Sequence, residues 1–467
     1  MTENPGDDEA KSSVVVEVRK QLYLAGPLII GSLQQNAVEM ISIMSVGHLG
    51  EIALSSVSIG TSFANVTGFH LLVGLSSCLD TLCGQAFGAK QYYLLGVYKQ
   101  RAILVLTIVS VVVSVFWVYA GHILLLFGQD RKIAMAAGSY IRWMTPALFA
   151  YGLLLCHVLF LQTQNIVIPL MLSSGITALN HVLLCWLLVY KIGLGTKGAA
   201  LASAISYLTN LFILALYIRL SPSCKSTWTG LSKEAFRDIV SFLRIAVPSA
   251  LMVWWWAYEL LILLSELLPN PKLEASVLSI TSNTFYIVYR IPYGLAEAVS
   301  TRVSNELGAG RPQAARLASR VILVLALISS VSVGAIMILV RNLWGHAFSN
   351  EEEVAEYVAR MVPVLVVAFV FDNLQSVLSG VARGCGWQKI GACVNFCAYY
   401  LVGIPVGLCF ALLDHRGGMG LWFGIICTLI VQTLLLLPIT LGTKWEKEAL
   451  KAKNRVMSSS LPVDQTT

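Results

Sequence analysis

The sequence predicts an all-α polytopic membrane protein, with twelve transmembrane helices in two pseudo-symmetric six-helix lobes. Three observations carry that reading. Apolar residues make up 57% of the chain and charged residues 12%, where a soluble protein carries about 25% charged residues; the mean hydropathy is +0.74. The apolar residues fall in repeated runs of roughly 20 or more, each long enough to cross about 30 Å of hydrocarbon. A motif at the end of the second run also returns 220 residues later: Thr81 matches Thr301, Gln85 matches Asn305, Gly88 matches Gly308 and Ala89 matches Ala309.

The opening MTENPGDDEAKSS is polar and acidic. It lacks the basic start and short apolar core of a signal peptide, so residues 1–21 read as a cytoplasmic N-terminal tail and the first span as its own signal. Spans are expected at 22–47, 52–85, 95–127, 134–163, 165–190 and 197–220, forming an N-terminal lobe over 22–220. Residues 221–239 read as a cytoplasmic inter-lobe linker, ending in KEAFRDIVSFLRIAVP, an amphipathic lead-in to the next span. Spans at 240–268, 273–306, 313–343, 354–383, 386–412 and 418–443 form a C-terminal lobe over 240–443. Residues 444–467, KWEKEALKAKNRVMSSSLPVDQTT, are expected to be a basic, disordered cytoplasmic tail.

Orientation follows from Lys and Arg placement. Lys90, Lys99, Arg101, Lys225, Lys233, Arg237, Arg311, Arg316, Arg320 and the tail fall on one side, and the acidic Ser349–Glu353 run on the other. Both termini are therefore expected to be cytoplasmic. The net charge of +7 is membrane orientation, with no basic domain for nucleic acid. Most of the ten cysteines lie inside expected spans, where Cys behaves as a small apolar residue, and no CxxC or zinc spacing appears.

The repeat extends further, with Gln164 taken to correspond to Gln388 and KGAALAS to GMGLWFG. Six plus six spans in the same orientation form a parallel repeat, which places a substrate site at the repeat interface near mid-membrane.

Within that scaffold the candidate site is the set of ionisable groups inside spans, since each is costly there and marks function by default. Glu259 interrupts LMVWWWAYELLILLSELLPNP. Asn283, Arg290 and Glu297 stand seven residues apart, which on one continuous helix places them on one face; Tyr286 shares the segment and Pro292 is expected to bend it. Asp372, Gln375, Ser376 and Ser379 make a polar stripe at i, i+3, i+4 and i+7. A carboxylate held in an apolar helix lets a proton and a cation compete for one group. Trp254, Trp255, Trp256 and Tyr258 offer aromatic faces to an organic cation, or equally to packing. Arg290 and Glu297 fit a structural ion pair as well as transport.

The N-terminal lobe supplies Gln34, Gln35, Asn36 and Glu39 on the first span, with Gln35 and Glu39 one turn apart. Asn65, His70, Ser173, Thr177, Asn180 and His181 add polar groups, the two histidines reading as helix-packing residues. Asp80, Lys90, Arg302, Glu306 and Arg311 gather at the cytoplasmic ends, where gate or interface ion pairs are expected. Gln85, Gly88, Asn305, Gly308, Arg383 and Gln388 read with Asp80 as gate or structural positions.

The segments GTSFANVTGF, TLCGQAFGAKQYYLLGVYKQRA, STRVSNELGAGRP and LSGVARGCGWQKIGACVNFCAYYLVGIPVG resemble those of plant multidrug and toxic compound extrusion (MATE) transporters, the DETOXIFICATION branch. The likeness runs from about Leu22 to Lys444. It implies the MATE fold and a proton-coupled antiporter that expels organic cations, xenobiotics or secondary metabolites. It also implies a proton- or substrate-linked role for Asp372 and matches the family's Glu at the position of Glu259. In two places the chain departs from the family: Asp80 stands where this branch has Glu, and Glu297 interrupts a run of small residues.

The expected partners are protons, small organic cations or secondary metabolites, and the lipid bilayer, around a monomer in the vacuolar or plasma membrane. No cofactor is expected, a proton gradient being the energy source; there is no GxxxxGK[ST] for ATP. Sodium coupling on the same fold remains an alternative. A lipid flippase would need a more basic cavity, a membrane-embedded prenyl or acyl transferase a DxxxD or catalytic His pattern that is missing, and a channel no such two-lobe repeat.

Overall fold

A computed structural model describes residues 5–252, 271–348, 351–413 and 417–459. Almost every described residue is helical. In the first half the helices are α1 (Pro5–Gly47), α2 (Glu51–Gly88), α3 (Tyr92–Val118), α4 (Arg131–Gln162), α5 (Ile168–Lys191) and α6 (Thr196–Leu220). In the second half they are α7 (Ile239–Leu251), α8 (Pro271–Val288), α9 (Arg290–Gly308), α10 (Pro312–Phe348), α11 (Glu352–Cys385), α12 (Gln388–Ala411), α13 (Gly417–Leu441) and α14 (Trp445–Ser459). Among the described residues nine helices are long and apolar enough to cross a membrane. Most of the seventh expected span lies outside the described residues.

The chain divides into two compact units, one of Met1–Ile29 with Trp254–Ala452 and the other of Ile30–Val253 with Lys453–Thr467. The first part of α1 thus belongs to the unit built from the second half of the sequence. Its inner face carries Glu17, Gln21, Leu24 and Leu28, all buried, at the i, i+4, i+7, i+11 spacing of one helix face. The segment read as a polar tail is therefore helical from Pro5, and its Glu17 has a buried partner described below.

The repeat is legible in the backbone itself. At the end of α2, Ala89, Lys90 and Gln91 donate to the carbonyls of Gln85, Phe87 and Ala86; at the end of α9, Ala309, Gly310 and Arg311 donate to Asn305, Leu307 and Glu306. Each bond in the second set is the first shifted by 220 residues. Lys90 and Gly310 both adopt a left-handed conformation, φ 59° and 70°, which closes a helix by satisfying its last carbonyls.

The same test corrects one pairing. α4 and α11 end on Asn165 and Gly386, with φ 62° and 85°, and Ile166 and Trp387 donate back to Leu161 and Ala382. The offset there is 221, so Gln164 matches Cys385 rather than Gln388, and Gln162 matches Arg383. The glutamines alone were a misleading guide, because a shared residue type at a helix end does not fix the register.

The residue 221–238 connection is pinned to its own unit. Thr227 Oγ1 donates to Gln164 Oε1 at 2.8 Å, and Gln100 brackets the segment by donating to the Gly230 carbonyl at 2.9 Å and accepting from the Ser232 amide at 2.8 Å. Lys99, buried, lies 4.3 Å from the Trp228 ring and 4.7 Å from the Phe160 ring. The expected amphipathic lead-in is α7, with Phe242, Ala246 and Ser249 on its buried face.

Helices α9 and α11 pack backbone to backbone. A Cβ on Gly380 would collide with the Ala296 carbonyl, and one on Gly384 would lie 2.9 Å from the Ser300 carbonyl. Small residues four apart allow this close approach inside a membrane. Gly380→Ala is expected to force the pair apart and cost about 1–3 kcal/mol, read as a lower thermal-unfolding midpoint of the purified protein.

Over 445–459 the expected disorder is not found: α14 is a helix, and Trp445, Ala449, Ala452 and Val456 are buried along one face. Its charged outer face outweighs that stripe in composition, which is why composition alone read as disorder.

Candidate functional site

The polar stripe of α11 is where the strongest chemistry lies. Asp372, Gln375 and Ser376 are buried, and Ser379 borders them. Neither carboxylate oxygen of Asp372 has a hydrogen-bond partner among the described residues, nor do Gln375 Nε2 and Ser376 Oγ. Native interiors rarely leave one such atom unsatisfied, and here several share one face. Asn373, the next residue on α11, does the opposite: its Nδ2 donates to Ser329 Oγ at 2.7 Å and to Ser330 Oγ and the Ala326 carbonyl at 3.0 Å. The helix is thus locked to α10 on one side while Asp372 is left available.

Tyr289 and Tyr399 lie within electrostatic reach of Asp372, and Tyr289 also of Arg290, Glu297 and Arg383. Both tyrosines are buried. Sequence reasoning passed over them, although Tyr399 stands in the AYYLVG run and Tyr289 beside Arg290. Their signal was weak, because a Tyr in a span reads as an ordinary aromatic.

Arg383 Nη2 donates to Glu297 Oε1 at 2.8 Å, with the carboxylate side chain 7% exposed and the arginine 18%. The other half shows the counterpart: Gln162 Nε2 donates to Asp80 Oδ1 at 3.5 Å, and Gln162 is the position matching Arg383. In each unit a carboxylate on the second repeat helix faces the last turn of the fourth.

The face expected from the seven-residue spacing is not uniformly buried. Between α8 and α9 Tyr289 keeps right-handed helical dihedrals, its amide donates to the Phe285 carbonyl, and the Tyr293 amide donates to the Tyr289 carbonyl, so the helical path continues. Asn283 is exposed, Arg290 and Tyr286 are half-buried, and Glu297 is buried. Spacing sets the helix face a residue occupies, while what packs against each turn sets its burial, and the three positions differ in that.

At the motif end of α9, Arg302 holds Glu17 through two bonds of 3.0 and 2.8 Å and Glu306 through a third of 2.8 Å, and Arg311 closes the chain on Glu306 at 2.7 Å. Paired N–H···O bonds of this kind orient as well as bind. The expected ion pairs at this end are present, with Glu17 as the member that sequence did not suggest. Asn305, three residues after Arg302, is buried, as is Gln388 at the start of α12, and Gly308 sits in the closing turn of α9.

In the other unit, Glu39 Oε1 accepts from Asn65 Nδ2 at 3.0 Å, and Gln35 Nε2 donates to the Tyr151 hydroxyl at 3.2 Å. Tyr207 lies in electrostatic reach of Glu39, Tyr151 and Tyr140. Ring centroids of Tyr151 and Tyr207 are 5.2 Å apart, and Phe69 meets Tyr151 edge-on at 5.3 Å. Residues Asn65–Phe69 form one π-helical turn inside α2, a local widening frequent at functional sites. A carboxylate beside tyrosine faces suits an organic cation. Tyr140, Tyr151 and Tyr207 sit on α4 and α6, too far in sequence from Glu39 for spacing to link them.

His181 has partners on both ring nitrogens, Ser42 at 2.9 Å and Ser206 at 2.8 Å, as a packing histidine should. Gln85, fully buried at the end of α2, accepts from Arg455 Nη1 at 2.6 Å. Glu259, Trp254, Trp255, Trp256 and Tyr258 lie outside the described residues. No group of three or more metal-ligating side chains occurs among the described residues.

Comparisons with known proteins bear on the family and the fold. A sequence profile described as MatE matches residues 27–187 and 246–409. Protein DETOXIFICATION 16 of Arabidopsis thaliana is 57% identical over 96% of this chain and 93% of its own length. Protein DETOXIFICATION 15 of the same plant is 53% identical over 97% and 94%. The crystal structure of the eukaryotic MATE transporter AtDTX14 superposes with a TM-score of 0.92 at 47% identity, covering 95% of this chain and all of that one. An outward-facing multidrug resistance MATE transporter of the MOP superfamily shares the fold with a TM-score of 0.81 at 16% identity, covering 95% and 96% of the two chains.

Proposed function

The chain belongs to the MatE family of multidrug and toxic compound extrusion transporters, and from that membership we propose that it is a proton-coupled antiporter. It is an integral membrane efflux transporter for small organic substrates; the proposal adds the coupling ion, the cargo and the sites. The cargo is organic cations, xenobiotics or plant secondary metabolites, carried out of the cytosol by alternating access. Protons return in exchange, and no cofactor is needed.

The observation that carries this reading is the buried carboxyl of Asp372, which has no hydrogen-bond partner among the described residues. An isolated ionised carboxylate is expensive to hold in an apolar interior. Protonation removes that cost, and so does an arriving cation, which makes the two mutually exclusive occupants of one group. Gln375 and Ser376 stand beside it with polar atoms to orient either one. Glu259 is the second exchange carboxylate of this half, with Trp255, Trp256 and Tyr258 as aromatic contacts. Glu39, Gln35 and their tyrosine neighbours serve the cation in the other half. Glu297 with Arg383 and Asp80 with Gln162 are positioning pairs rather than exchange groups, because each already faces a partner.

The energetics are sufficient. One proton moving down one pH unit supplies about 1.4 kcal/mol, roughly tenfold accumulation of a solute exchanged one for one. Each 100 mV adds about 2.3 kcal/mol per net charge moved. Lys and Arg placement supports both termini in the cytosol, and either the vacuolar or the plasma membrane offers protons on the opposite side.

The test uses purified protein in sealed proteoliposomes with ethidium as the probe cation. Ethidium movement is expected to follow an imposed pH gradient, to collapse with a protonophore, and to ignore an imposed sodium gradient. Movement that follows sodium instead overturns the coupling ion, and movement indifferent to both gradients overturns antiport.

A further inference from the structure

The end of α14 is held in place by bonds that a single modification would undo. Arg455 Nη1 donates to Gln85 Oε1 at 2.6 Å, and Gln85 is fully buried in the TLCGQAFGAK motif. Four residues on, the Ser459 side chain hydrogen-bonds the buried Tyr98. Between them Ser458 faces outward, its hydroxyl donating among the described residues only to the Arg455 carbonyl, at 3.0 Å. Lys451, Lys453 and Arg455 lead up to it, placing cations seven, five and three residues ahead of an accessible hydroxyl.

We propose that Ser458 is the acceptor of a basophilic protein kinase, and that its phosphorylation releases the end of α14 from Gln85 and Tyr98. The proposal rests on the reading that the C-terminus faces the cytosol, where ATP and such kinases are found. The γ-phosphoryl group of ATP passes to Ser458 Oγ, ADP leaves, and the hydroxyl proton goes to the kinase base. The product carries a charge of about −2 one turn from Arg455. Charge-assisted bonds to that phosphate are stronger than a bond to a neutral amide oxygen, so Arg455 turns from Gln85 to the phosphate. The new charge also sits at the negative end of the helix dipole, which loosens the last turn and the contact of Ser459 with Tyr98. Gln85 lies five residues from Asp80 on the same helix end, so the release frees a repeated motif that alternating access has to move.

The experiment treats the purified full-length chain with the catalytic subunit of an Arg-directed serine kinase and labelled ATP. Stoichiometric label on Ser458, absent in Ser458→Ala, is expected. Tryptic cleavage after Lys451 and Lys453 is expected to rise about tenfold on phosphorylation, and ethidium transport to rise at least about threefold. Absence of label on Ser458, or label with unchanged cleavage and transport, overturns the proposal. Because Ser458 is exposed and outside the exchange site, Ser458→Ala should transport as the unmodified protein does. The same labelling in sealed vesicles separates the two premises. Label only on vesicles exposing the cytosolic face is expected, and label only from the opposite face overturns the orientation while leaving efflux itself untouched.

Discussion

Asp372→Asn is expected to abolish gradient-driven transport while leaving the protein folded. Asn keeps the shape of Asp but binds no exchangeable proton, so accumulation should fall from as much as about tenfold per pH unit to none. Stability should not fall with it. Asp372 makes no hydrogen bond among the described residues that Asn would lose, and a neutral amide never has to be buried as an ion. The thermal midpoint of Asp372→Asn should therefore equal or exceed that of the wild type. The two measurements together separate an exchange group from a structural one. Full gradient-driven accumulation in Asp372→Asn would remove Asp372 from the mechanism.

Arg383→Met should show the reverse pattern, a large loss of stability. It leaves the Glu297 carboxylate, 7% exposed, without the guanidinium that now lies 2.8 Å away. Removing one member of a buried pair costs about 3–5 kcal/mol. Neutralising both should recover most of it, so Glu297→Gln combined with Arg383→Met is expected to melt well above Arg383→Met alone. Unfolding of the wild type, Glu297→Gln, Arg383→Met and the double variant in one detergent measures the coupling directly. An Arg383→Met protein as stable as the wild type would mean that the pair contributes nothing and that Glu297 belongs with the exchange groups.

What could be read from sequence followed the local physics. Apolar runs located the helices, since a span must be long and apolar whatever it packs against. The spacing of Asp372, Gln375 and Ser376 located the polar stripe, since residues three and four apart share a face. The TLCGQAFGAK and STRVSNELGAGRP match located the repeat, which the shifted hydrogen bonds of the two helix ends reproduce bond for bond. What escaped was mostly long-range. Glu297 and Arg383 are 86 residues apart and Glu17 and Arg302 are 285, and no periodicity connects such positions. One local reading also failed. The tail after 444 looked disordered by its charge, though Trp445, Ala449, Ala452 and Val456 already spelled an amphipathic helix over 445–459.

The central claim is that a proton and a cation compete for the carboxyl of Asp372. The most direct measurement is an infrared difference spectrum of the protein in lipid at neutral pH, with and without ethidium. A protonated carboxyl has a carbonyl stretch that its ionised form lacks. The account predicts that ethidium removes such a band in the wild type and that the loss is absent in Asp372→Asn. A loss that persists undiminished in Asp372→Asn, or no loss in the wild type, would contradict it.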